Sequence, residues 1–151
     1  MFNFKYSQKN ERKIDLKRVL FVISKLTGGG AERALCNLTL GFPEDLIVDI
    51  MVNSESDYDY PHKGNVISLG MPHRNNLSLF YQMIAFVKRY FKLVSLKKSG
   101  NYDMCISFLD SANIVNVLTG KKKCKIILSV RNNLSESKSK SYKFLVHPLA
   151  K

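Results

Sequence analysis

Arg18-Val19-Leu20-Phe21-Val22-Ile23-Ser24, then Lys25-Leu26-Thr27-Gly28-Gly29-Gly30, then Ala31-Glu32-Arg33-Ala34-Leu35, is the stretch that decides the fold. Its first part is a continuous apolar run rich in β-branched residues. A run with no polar face predicts a strand buried on both sides, as in a parallel sheet. Lys25 to Gly30 is a glycine-rich turn. From Ala31 to Leu40 the residues Ala31, Ala34, Leu35 and Leu38 recur at helical spacing, and Gly41-Phe42-Pro43 ends that helix.

The same alternation runs down the chain. Leu46 to Val52 reads as a second strand, Asn53 to Asn65 as an exposed loop, and Val66 to Leu69 as a short third strand. A long helix is predicted from about Leu77 to Lys98. Phe80, Ile84, Val87, Phe91 and Val94 form its helical stripe, the face expected to cover the sheet. Gly100-Asn101 breaks it. Tyr102 to Phe108 reads as a fourth strand, Ser111 to Leu118 as a short helix, and Lys125 to Val130 as a fifth strand. Ser135 to Lys151 is first Ser/Lys-rich and then weakly helical. Strands alternating with helices predict an α/β fold whose mainly parallel sheet carries helices on both faces.

The 151 residues suit one domain, and a 45% hydrophobic share is enough to build a core. No apolar run is long enough to span a membrane, and the basic, polar opening to Lys17 has no secretory pattern. Cys36, Cys105 and Cys124 are scattered among apolar residues, as expected of buried thiols in a reducing cytoplasm. His62, His73 and His147 lack ligand-like spacing, so no metal site is expected. The net charge of +12, from 24 Lys and Arg against 12 Asp and Glu, favours an anionic partner: nucleic acid, an anionic membrane surface or a phosphorylated substrate.

Candidate chemistry gathers at the carboxyl ends of the strands, where open α/β sheets bind ligands. Gly28, Gly29 and Gly30 let the backbone bend sharply and approach a ligand closely. The helix behind them points free N–H groups and its positive dipole end into the same space. Neither common nucleotide motif is matched: Arg33 stands where G-x-G-x-x-G needs glycine, and G-K-[ST] is absent. Glu32 either complements the helix dipole or reaches a ligand. Asp110 is either a helix N-cap or a general base for an acceptor hydroxyl. Arg131 is either a surface ion-pair partner or a phosphate clamp. The long helix carries Lys88, Arg89 and Lys92 beside several aromatics. It reads as a covering helix or as a helix lying on an anionic membrane surface.

Three segments together resemble the amino-terminal domain of family 4 glycosyltransferases. They are the strand with Gly28-Gly29-Gly30-Ala31-Glu32-Arg33-Ala34-Leu35 and Asn37-Leu38, the stretch from Asp103 through Ser107-Phe108 to Asn113, and Lys125-Ile126-Ile127 through Ser129, Arg131 and Asn132. The resemblance runs from about Lys17 to Asn133. It implies the first, Rossmann-like domain of a two-domain GT-B fold, with residues 1–17 as a basic extension and 18–151 as an acceptor-side domain incomplete at its C-terminal end. It further implies transfer of a sugar from a nucleotide-sugar to a lipid-linked or polysaccharide acceptor, with retention and without metal or other cofactor.

On that resemblance Gly28, Gly29, Gly30, Glu32 and Arg131 lie near the donor's phosphates, and Asn113 and Asn132 lie on the acceptor side. Some relatives place a histidine after the fourth strand, and Asp110 is the nearest polar group here. A cytoplasmic location peripheral to the membrane is implied, with Lys88, Arg89 and Lys92 at its surface. No residues are present that could supply the Glu-x7-Glu motif of the donor domain. The chain is therefore expected to be a fragment, a truncated product or one part of a split enzyme, with little transferase activity by itself. Two alternatives stay open: a basic nucleic-acid-binding module, for which no recognised motif is present, and a non-catalytic remnant.

Overall fold

The computed structural model describes residues 17–71, 79–121 and 123–130. The elements, in order, are β1 (Arg18–Val22), α1 (Gly30–Leu40), β2 (Ile47–Val52), β3 (Asn65–Ser68), α2 (Leu79–Ser99), β4 (Met104–Phe108), α3 (Asp110–Leu118) and β5 (Lys125–Ser129). The strands form one sheet in the order β3-β2-β1-β4-β5, and every neighbouring pair is parallel. This is the Rossmann-like arrangement. The extension before Lys17, the histidines at 73 and 147, Arg131, Asn132 and the Ser135–Lys151 tail lie outside the described residues.

Alternate residues of β1 serve opposite faces of the sheet, as the period of a strand requires. Val19, Phe21 and Ile23 join Leu35 and Cys36 of α1 in one core. Leu20 and Val22 join Leu93 of α2 and Ala112 and Val115 of α3 in the other. Both faces are thus covered, which explains why β1 reads as an unbroken apolar run. All three cysteines are free and buried. Burial pushes each thiol above its ordinary pKa, Cys105 to about 12.

α2 is turned the opposite way from its sequence periodicity. Phe80 and Phe91 of the predicted covering stripe are 73% and 66% exposed, and Ile84 and Val87 are exposed with them. The sheet-facing residues are instead Arg89, Leu93 and Lys97, three successive turns on one line, flanked by Tyr90 and Leu96. The reason is that two cations find acceptors inside. Lys97 Nζ donates to Asn116 O at 2.9 Å, Thr119 Oγ1 at 2.8 Å and Gly120 O at 3.0 Å. A cation at these carbonyls complements the negative end of the α3 dipole. Lys63 does the same for α1, donating to Phe42 O and Pro43 O just past its end.

The amino end of the sheet is locked by a polar knot. Asp49 of β2 accepts Arg18 Nε and Nη2 at 3.0 and 2.8 Å, Tyr102 Oη at 2.7 Å and Asn65 Nδ2 at 3.3 Å. Burial works to raise the Asp49 pKa. The Tyr102, Arg18 and Asn65 bonds outweigh it and hold the carboxyl below its usual range. Asp103 accepts the backbone N–H groups of Lys17 and Arg18, each at 2.9 Å, and these bonds lower its pKa too.

Candidate functional site

At the carboxyl end of the sheet, β1 runs out into the glycine turn. Gly28 adopts φ +89°, a conformation that side chains with a Cβ resist. Gly29 is the N-cap of α1 in extended conformation, and no side chain caps the helix, Thr27 included. The first-turn N–H groups of α1 therefore face the rim unused by a capping side chain. A Cβ on Gly29 would collide with the Glu32 carboxylate, whereas one on Gly30 would meet open space. Glu32 is only 6% exposed, folded back over the turn it follows. The loop after β2 closes over the turn as well, through Tyr60 N–H donating to Leu26 O at 3.0 Å.

β4 ends in a second tight turn. Leu109 is the N-cap of α3 at φ +71° and ψ 157°, a region that costs a non-glycine residue about 1–3 kcal/mol. Asp110 is therefore the first helical residue and not the cap that its spacing suggests. Its charge complements the α3 dipole there. Asn113 is fully buried and links three elements: its Oδ1 accepts Ser107 Oγ at 2.7 Å and its Nδ2 donates to Ser129 O at 3.3 Å. Asn116 completes this link through Cys105 O and Ser107 Oγ. Asn113 thus holds β4, α3 and β5 in register at the rim.

The structure also brings together a group that the sequence reading does not. Arg89 is 6% exposed, so its side chain is not available to a membrane surface as Lys92 is. Lys88 lies between these cases, exposed but with its Nζ on Leu69 O at 2.7 Å. The Arg89 guanidinium reaches over the strand ends. Nε and Nη2 donate to Asn53 Oδ1 at 3.0 and 2.6 Å, Nη2 to Ser24 Oγ at 3.2 Å, and Nη1 to Ser111 Oγ at 3.2 Å. Burial lowers its pKa to about 10, which leaves it charged at neutral pH. Ser24 follows β1, Asn53 follows β2 and Ser111 lies in the first turn of α3. No local motif announces such a cluster, because its members come from four separate segments.

The glycine turn, the α3 turn and this guanidinium share the carboxyl rim, where a doubly wound sheet places its ligand crevice. Over this geometry the sequence has a curated relative. The chain is similar to a bacterial glycosyltransferase. That protein is the GalNAc-alpha-(1->4)-GalNAc-alpha-(1->3)-diNAcBac-PP-undecaprenol alpha-1,4-N-acetyl-D-galactosaminyltransferase of Campylobacter jejuni subsp. jejuni serotype O:2, 28% identical over 131 residues. The match covers 86% of this chain and 36% of the relative, so the chain spans about a third of that protein's length. No family model matches the chain. No described helix is long and apolar enough to cross a membrane, and among the described residues no group of His, Cys, Asp and Glu gathers as a metal site would require.

Proposed function

We propose that this chain is the acceptor-side domain of a nucleotide-sugar-dependent glycosyltransferase acting on a lipid-linked acceptor. The similarity to the Campylobacter transferase, extending through the strands and turns that build the rim, carries the reading. In this proposal Gly28, Gly29 and Gly30 form one wall of an interdomain cleft and Glu32 accepts a hydrogen bond from a sugar hydroxyl. Asp110 takes the proton of the acceptor hydroxyl, Arg131 pairs with a donor phosphate, and Asn132 serves the acceptor. The donor domain comes from sequence outside this chain or from a partner chain, and transfer proceeds with retention and without metal. The outward stripe of α2, with Lys92 beside it, supports a position on an anionic membrane surface, where a lipid-linked acceptor is found.

The test is a titration of the 151-residue chain with a short-chain prenyl diphosphate bearing one N-acetylhexosamine, followed by backbone amide shifts. Saturable binding that moves the Gly28–Gly30 amides, and that is weaker for the same prenyl diphosphate without sugar, is the expected result. Binding that ignores the sugar, or no binding, would sink the acceptor-side reading.

A further inference from the structure

Among the described residues the Arg89 guanidinium at the rim has no counter-ion. All three groups that Arg89 touches, Ser24, Asn53 and Ser111, are neutral, and no carboxylate among the described residues pairs with it. A buried charge is tolerated at a cost unless an opposite charge meets it. The hydrogen bonding around it is one-sided as well. A hydroxyl that accepts from a guanidinium keeps its own hydrogen to donate, and a carboxamide whose oxygen is used keeps its NH2. Among the described residues nothing accepts from Ser24 Oγ, Ser111 Oγ or Asn53 Nδ2, and one Nη1 hydrogen of Arg89 is left over. The cluster therefore presents positive charge and more free donors than free acceptor lone pairs.

Its place in the fold is equally specific. Ser24 and Ser111 stand beyond β1 and β4, which are neighbours in the sheet. The chain leaves β1 towards β2 on one side and leaves β4 towards β5 on the other, so the crevice opens between them. α3 begins there, without a side-chain cap, behind the strained Leu109. Its first-turn amides and positive dipole end add to the same field.

We propose that Arg89, with the Ser24 and Ser111 hydroxyls and the amino end of α3, is a receptor for a phosphate group in the β1/β4 crevice. The guanidinium fork supplies charge and direction, and the hydroxyls turn their hydrogens onto the phosphate oxygens. This deepens the transferase reading and rests on it for the phosphate's carrier, either a nucleoside diphosphate or a prenyl diphosphate.

Calorimetry and thermal melting of the 151-residue chain with inorganic pyrophosphate at low ionic strength test it. The wild type is expected to bind saturably and to melt higher with ligand. Arg89→Met should weaken binding at least about 10-fold, and Arg89→Lys should recover part of it. Ser111→Asp sets a carboxylate against Nη1. It should raise the melting temperature without ligand and abolish the response to pyrophosphate, and it decides the matter should Arg89→Met fail to fold. Tighter binding of uridine diphosphate than of geranyl diphosphate assigns the receptor to the donor, and the reverse order assigns it to the acceptor; either supports it. No response in the wild type, or equal responses in wild type, Arg89→Met and Ser111→Asp, would overturn it. Pyrophosphate held through Arg89 with no preference for a sugar-bearing ligand leaves the receptor standing and removes the transferase reading. Sugar-dependent binding indifferent to both substitutions does the opposite.

Discussion

Three consecutive glycines need not share one reason, and here they do not. Gly28 is fixed by its positive φ, so Gly28→Ala should destabilise the fold by about 1–2 kcal/mol in urea unfolding. Gly30 opens α1 with free space where a Cβ would lie, so Gly30→Ala should be neutral or stabilise by about 0.5 kcal/mol. Gly29 has ordinary backbone angles, and its only conflict is with the end of the Glu32 side chain. Gly29→Ala should leave stability within about 0.5 kcal/mol while moving the Glu32 carboxylate off the turn. Ligand affinity measured beside unfolding midpoints separates the three. Equal stability losses at all three positions would mean that the turn is only a structural bend. The glycine turn was legible because strand, glycines and helix are contiguous in sequence. That Glu32 folds back over Gly29 was not, since an acidic residue in a first helical turn is normally left in water.

At the scale of elements, five strands could be read from their apolar runs because both faces of a parallel sheet are covered. The facing of α2 could not. Periodicity assigns lysine and arginine to water and aromatics to the core, and α2 inverts this by giving Arg89 and Lys97 buried acceptors on neighbouring segments. The aromatic stripe is thereby freed, and no described element covers Phe80 or Phe91. If the stripe rests on a lipid surface, Phe80→Ser with Phe91→Ser should weaken co-sedimentation with anionic vesicles by about 10-fold per ring. The same pair should leave the unfolding midpoint nearly unchanged, because both rings already stand in water. A large loss of stability with unchanged vesicle binding would instead assign the stripe to packing within the protein. Lys97 belongs to the opposite case. Lys97→Met should cost about 2 kcal/mol or more, since three oxygens at the end of α3 each lose one charged donor.

For the molecule as a whole, the two ends of the sheet are electrostatic opposites. At the amino end, Asp49 and Asp103 are satisfied by Arg18, Tyr102, Asn65 and backbone amides. At the carboxyl end, Arg89 waits on neutral groups. The first arrangement makes stability depend on acid in a predictable direction. Both carboxyls have folded pKa values below their unfolded ones, so their contribution is complete above the unfolded value near about 4 and is lost as pH falls through the lower folded values. The charge balance acts in the same sense, because protonating the 12 acidic residues leaves 24 Lys and Arg unopposed. Urea midpoints should therefore hold between about pH 5 and 7 and fall steeply below about pH 4. Asp49→Asn should lower the neutral-pH midpoint and flatten the acid limb, because the variant has one fewer depressed carboxyl to protonate. An acid limb as steep in Asp49→Asn as in the wild type would show that general charge repulsion, not the amino-end knot, sets the acid sensitivity of the fold.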